Sequence, residues 1–238
     1  MDAINSSIPP QAPLGILMLD TAFARPLGDA GNSDSWPFPV LIERVSGAYA
    51  RPVVDGTHRD INAFVEAGRL LCERGACAVI TTCGFLIRYQ DVISAALPAP
   101  VLTSTLTQYK RLTRALPTGK RLAILTICPA ALDEVTLSSA GIEPDALVFG
   151  LSPDAHFVRA ILDGTPSLDV QLATSEWETL ARECLQKHTE IGGWMFECAN
   201  MPPYSKAIAS ATGIAVYDAI TLGTELHTGQ VRIAQQST

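Results

Sequence analysis

Short apolar runs alternate with amphipathic stretches along the chain. Leu14-Gly-Ile-Leu-Met-Leu19 reads as a buried strand that stops at Asp20. Residues 21–39 follow as one irregular segment rich in Gly, Pro, Asp, Asn and Ser. A loop of that length inside a compact domain is uncommon and often functional. The patterns at residues 40–45 and 50–54 suit strands, with Asp55-Gly56 as a turn. Thr57 is placed to cap a helix running to about Arg74, where Gly75 stops it, and residues 76–82 form the next strand.

The second half repeats this scheme. Gly119 precedes a strand at residues 121–126, and Pro129 suits the first turn of a helix after it. A strand at residues 146–149 and a helix at about 175–188 come next. Gly192-Gly193 then leads into a strand at 194–197. Pro202-Pro203 opens another helix, residues 214–217 are a strand, and a last helix follows Asp218. Strands alternating with helices imply an α/β fold with mainly parallel sheets, each flanked by helices.

The halves correspond in detail. Each opens on a similar strand, Leu14-Gly-Ile-Leu and Leu122-Ala-Ile-Leu. Each later reaches a cysteine at a strand end, in Thr-Thr-Cys83-Gly-Phe and in Phe-Glu-Cys198-Ala-Asn. An ancient duplication accounts for this and predicts two similar lobes related by a pseudo-twofold axis, with the active site in the cleft between them. The expected division is a loose N-terminal tail at 1–12, a first lobe at 13–116 plus 212–238, and a second lobe at 117–211.

Composition narrows the function. Of 238 residues, 47% are hydrophobic and 17% charged, enough for a large core and against wholesale disorder. The net charge of −7 argues against a nucleic-acid partner, which needs a basic face. It leaves room for an anionic or carbonyl-containing small substrate, because a pocket can be locally positive. No apolar run approaches the length of a membrane span, and the start lacks the pattern of a signal peptide, so the expected location is cytoplasmic. A homo-oligomer remains open.

Of the six cysteines, none forms a CxxC pair, and the four histidines are scattered, so no metal is expected. Cys72 and Cys184 fall inside predicted helices and Cys77 in a strand, where packing explains them. Cys128 opens a helix and is set aside from catalysis. Cys83 and Cys198 both stand at carboxyl ends of strands, where parallel α/β sheets bind ligands. If the two thiols face each other, one removes a proton from one face of a carbon and the other returns a proton to the opposite face. Gly84 leaves room for a substrate oxygen near backbone N–H groups, and the same helix start is expected to lower the thiol pKa of Cys83. Asn200 offers an amide donor, and Arg25 in the long loop offers a carboxylate clamp. That loop is expected to be a mobile lid, and Arg88 is expected to face solvent.

In these residues the chain resembles the aspartate/glutamate racemase superfamily, which also includes hydantoin racemases, arylmalonate decarboxylases and maleate isomerases. The markers are Thr82-Cys83-Gly84 and Glu197-Cys198-Ala199-Asn200-Met201-Pro202. The resemblance implies two α/β lobes, no cofactor, and Cys83 and Cys198 as the catalytic acid–base pair. It also implies a substrate pocket drawing on Asp20 and Thr126 after the opening strands, on Thr82, Gly84 and Phe85, and on Ala199 and Asn200. Gly84-Phe85 and Ala199 stand where the racemases of glutamate and aspartate usually carry Asn-Thr and Thr, which points away from those two substrates. The implied activity is racemisation or epimerisation at a carbon next to a carboxylate or carbonyl. Maleate isomerase-like or hydantoin racemase-like chemistry on the same scaffold is the alternative. A cysteine hydrolase, which would want a histidine beside a thiol, and a non-catalytic binding protein rank behind.

Overall fold

A computed structural model of the chain describes residues 12–165 and 167–229. The loose tail expected at the start falls almost wholly outside them. The structure contains two four-stranded parallel sheets flanked by helices. In the first sheet the order is β2-β1-β3-β4, built from β1 (Leu14–Leu19), β2 (Val40–Val45), β3 (Ala78–Thr81) and β4 (Val101–Leu102). In the second it is β6-β5-β7-β8, from β5 (Arg121–Thr126), β6 (Leu147–Gly150), β7 (Ile191–Phe196) and β8 (Val216–Tyr217). The two orders are the same, so β3 and β7 occupy equivalent positions. Cys83 lies just past one and Cys198 just past the other.

Alternation along the strands decides what each face packs against. In β1, Leu14 and Ile16 point into one cluster while Leu17 and Leu19 point into another. The first cluster also holds Ala78, Ile80 and Leu102 of the sheet, and Ala219, Leu222 and Leu226 of helix α9 (Ala219–His227). The second is continuous through both lobes and includes Phe64 and Leu71 of α2 (Ile61–Glu73) and Trp177 of α7 (Val170–Lys187). Both faces of the sheet are covered, which is why its strands read as near-continuous apolar runs.

Three local expectations differ from the structure. Ala50–Val54 is a short helix, α1, and not a strand. Its apolar residues Ala50, Val53 and Val54 sit at the i and i+3/i+4 spacing of a helix face, a pattern too short to distinguish from alternation. The cap of α2 is Asp60, whose side chain accepts from the Ala63 N–H, so Thr57 lies outside the helix. The return to the first lobe comes later than residue 212, because β8 pairs with β7 and, among the described residues, only α9 packs back on the first sheet. A two-residue edge strand carries too little pattern to show which sheet it joins.

Candidate active site

The ends of β3 and β7 meet across one pocket. Its walls include Thr82, Cys83 and Phe85 from the first lobe, and Glu197, Cys198 and Asn200 from the second. Apolar side chains complete it, among them Ala50 and Val54 of α1 and Ile161 and Leu162 of α6 (His156–Leu162). The cavity between them is tight, about 20 Å³. Outside it, Arg51 of α1 pairs with Asp163 next to α6. Both are half-exposed, so the pair adds little to stability. A second hollow, beside Arg111 and Glu225, contains neither thiol.

Cys83 and Cys198 are 5% and 6% exposed. The N–H groups of Phe85 and Leu86 are directed at the Cys83 sulfur and ease its ionisation, as the turn after β3 suggests. They do not prevail. Burial first, and the neighbouring Glu197 second, push the Cys83 thiol up to about 12. The same two causes raise Cys198 well above an ordinary thiol, with Cys83 and Asp29 adding to them. The expected lowering is therefore reversed, because loss of water around a buried thiolate outweighs two backbone donors.

Glu197 is the residue that motif reasoning passed over, although it stands directly before Cys198. It is 2% exposed, and burial lifts its carboxyl to about 7 against the easing effects of Thr126, Arg88 and Gly84. The Thr126 hydroxyl donates to Oε2 at 2.9 Å, so Thr126 holds this carboxyl and does not line the pocket. Oε1 lies against Gly84, whose N–H faces the carboxyl outside good hydrogen-bond geometry, leaving that oxygen without a partner among the described residues. A Cβ built on Gly84 would overlap both Oε1 and the main-chain oxygen of Glu197. The glycine thus admits Glu197, where the sequence suggested it admits a substrate oxygen. Gly84→Ala is expected to cost about 1–3 kcal/mol by overpacking. A denaturant midpoint equal to that of the wild type would show that Glu197 can move aside.

The remaining expected pocket residues have structural tasks. Asp20 accepts from the Gly47 N–H at 2.9 Å and faces Arg44 at 3.5 Å, closing the turn after β2. Arg25 is committed to Asp29, at 2.8 Å, and to the Thr21 hydroxyl, and its guanidinium lies over the Phe23 ring. Both of its terminal nitrogens are thus engaged within the loop. Ala199 is buried, and its carbonyl accepts from the Ala30 N–H at 3.1 Å. Asn200 lines the pocket, but its amide nitrogen donates to Asp29 Oδ2 at 2.8 Å while its Oδ1 accepts from the Cys198 thiol at 3.4 Å. Arg88 is half-buried and bridges the lobes. It donates to the Val54 carbonyl on one side and to the Ala131 carbonyl and Thr136 hydroxyl on the other. Its charge eases ionisation of both Cys83 and Glu197.

The long loop therefore differs from the lid that its composition suggested. Asp29 and Ala30 are fully buried, and Trp36 donates its indole N–H to the Ala30 carbonyl at 3.0 Å. Gly28, at φ +99°, presses against Pro203. The segment is a strut from the first lobe that grips the turn carrying Cys198. Cys128 begins a 3-10 turn behind β5 and is not among the pocket residues. None of the four histidines is among them either.

Unliganded arylmalonate decarboxylase superposes with a TM-score of 0.58 at 15% identity, covering 94% of this chain and 96% of its own. Glutamate racemase from Francisella tularensis subsp. tularensis SCHU S4, in complex with D-glutamate, superposes with a TM-score of 0.51 at 15% identity, covering 92% and 81%. The chain has the aspartate/glutamate racemase fold. By sequence it is similar to different proteins. A dimethylsulfoniopropionate lyase of Durusdinium sp. clade D is 27% identical over 222 residues, 88% of this chain and 72% of the relative. Dimethylsulfoniopropionate lyase 3 of Emiliania huxleyi (strain CCMP1516) is 27% identical over 219 residues, and the match spans 57% of its length. No family model matches the chain. Among the described residues no helix is long and apolar enough to cross a membrane.

Proposed function

We propose that this protein is a carbon-acid enzyme in which a thiolate from the Cys83–Cys198 pair removes the proton next to a substrate carboxylate, and that β-elimination completes the reaction. The observation that carries the reading is the meeting of both cysteines, from equivalent strands of the two lobes, in one small and largely apolar pocket. The similarity to dimethylsulfoniopropionate lyases over most of the chain favours a substrate with a leaving group on the next carbon, such as a sulfonium propionate. The thiolate takes the proton, its former bonding pair forms the C=C bond, and the C–S bond breaks as dimethyl sulfide leaves with its electrons. The product is acrylate, and the proton gained by the thiol returns to solvent. Apolar walls suit the methyl groups of such a leaving group, and a dry pocket strengthens the electrostatic interactions of the reaction.

Racemisation or epimerisation is the second reading. It is favoured by the placement of the thiols on opposite lobes, since inversion needs one acid and one base on opposite faces of the carbon.

Incubation in deuterated water with dimethylsulfoniopropionate and with a panel of chiral carboxylic acids and hydantoins separates the two. Release of dimethyl sulfide and acrylate is expected. Deuterium entry next to the carboxylate, without loss of a substituent, would instead support the racemase. A protein that neither eliminates nor exchanges across the panel would overturn both.

A further inference from the structure

We propose that Glu197, Cys83 and Cys198 form one coupled acid–base unit that takes up a single negative charge as the pH rises through neutrality, and that Glu197 carries this charge when the pocket is empty. Glu197 is thereby a positioning residue that sets the protonation of both thiols. The proposal deepens the reading of Cys83 and Cys198 as the proton-transfer pair and rests on it for its catalytic meaning.

The geometry joins the three groups. Glu197 precedes Cys198 in the chain, and its carboxyl lies against Gly84, the residue after Cys83. All three line the same pocket and are nearly inaccessible to water. One carboxyl oxygen is held by Thr126, while the other is buried without a partner among the described residues. The half-buried Arg88, on the turn after β3, is the cation that favours the charged carboxyl. Asp29, on the loop strut, faces Cys198 but is already paired with Arg25 and Asn200. Cys128, past Thr126, is not among the pocket residues.

Interacting sites titrate as a unit. Glu197 gives up its proton near neutrality, long before either thiol does. Its charge then repels a second charge on sulfur. A thiolate forms above that pH chiefly by passing its proton to the Glu197 carboxylate, leaving a thiolate beside a neutral acid. No hydroxide is consumed in that transfer, so thiolate content stops rising with pH. With a neutral side chain at position 197 the content keeps rising.

The test is alkylation by iodoacetamide, in which a C–S bond forms and iodide leaves, followed site by site by peptide mass spectrometry from pH 5 to 9. In the wild type, reaction at Cys83 and Cys198 is expected to rise to about pH 7 and then level off. In Glu197→Gln it is expected to match the wild type at pH 5 and to exceed it about tenfold or more at pH 9, given coupling above about one pK unit. Thr126→Val removes a hydrogen bond that favours the carboxylate, so its break should move to higher pH, which keeps the test decisive if Glu197→Gln folds poorly. The four other cysteines serve as internal controls. Profiles for Cys83 and Cys198 that are the same in all three proteins would overturn the coupled unit. Alkylation needs no substrate, so this outcome is separate from any failure to find turnover.

Discussion

Cys83→Ser and Cys198→Ser should each lower kcat/KM by about 10²–10⁴-fold, the usual contribution of a positioned acid or base. Serine nearly preserves the size of cysteine, so circular dichroism and the unfolding midpoint should change little. Its hydroxyl is far less acidic and cannot supply the base, a deficit made worse by the same burial that raises both thiols. The two variants should also differ from one another. With a chiral acid, the variant retaining only one thiol should exchange the proton of only one enantiomer, because the remaining base reaches one face. With a sulfonium propionate, the variant that keeps the abstracting thiol should retain more elimination than the other. Full activity toward both enantiomers in either variant would remove the two-thiol assignment. The measurement is deuterium exchange from single enantiomers, run beside dimethyl sulfide release.

Asp29→Ala should be the most damaging change outside the pocket, destabilising the protein by about 3–5 kcal/mol. Asp29 is fully buried and binds Arg25, the Gly31 N–H and the Asn200 amide at once. Its removal strands the Arg25 guanidinium, only 10% exposed, beside an unpaired amide. The consequences extend to the site, because Asn200 accepts the Cys198 thiol hydrogen bond. Cys198 should therefore become more readily alkylated in the variant, while Cys83 changes less. Asp29→Asn, which retains the shape and part of the hydrogen bonding, should cost less. Urea unfolding of the three proteins checks this, and a loss below about 1 kcal/mol for Asp29→Ala would show that the loop does not depend on its buried ion pair.

The loop illustrates how composition misleads. Its glycines, prolines and polar residues match a mobile lid, and an isolated Arg25 looks like a free clamp. What composition cannot show is that one aspartate, Asp29, joins Arg25 to Asn200, which lies 171 positions beyond that aspartate. Arg88 is a similar case. An arginine after an apolar turn looks solvent-facing, yet three acceptors from two lobes surround it. Gly84 was legible as a place of close approach, but which atoms approach it was not.

The alternation of strands and helices, the matching halves and the two strand-end cysteines were legible in the sequence alone, although residues 50–54 read as a strand and β4 left no readable pattern. They rest on local rules: apolar runs of strand length, helix-stopping glycines, and the placement of functional groups at carboxyl ends of parallel strands. That both thiols share one pocket depends on how two lobes dock, which no local pattern encodes. Tertiary structure also decided the acid–base balance. A cysteine at the start of a turn should ionise easily, and the N–H groups that would help it are in place. Yet burial and the charge of Glu197 prevail, because the cost of an anion depends on everything packed around it and not on its neighbours in the chain.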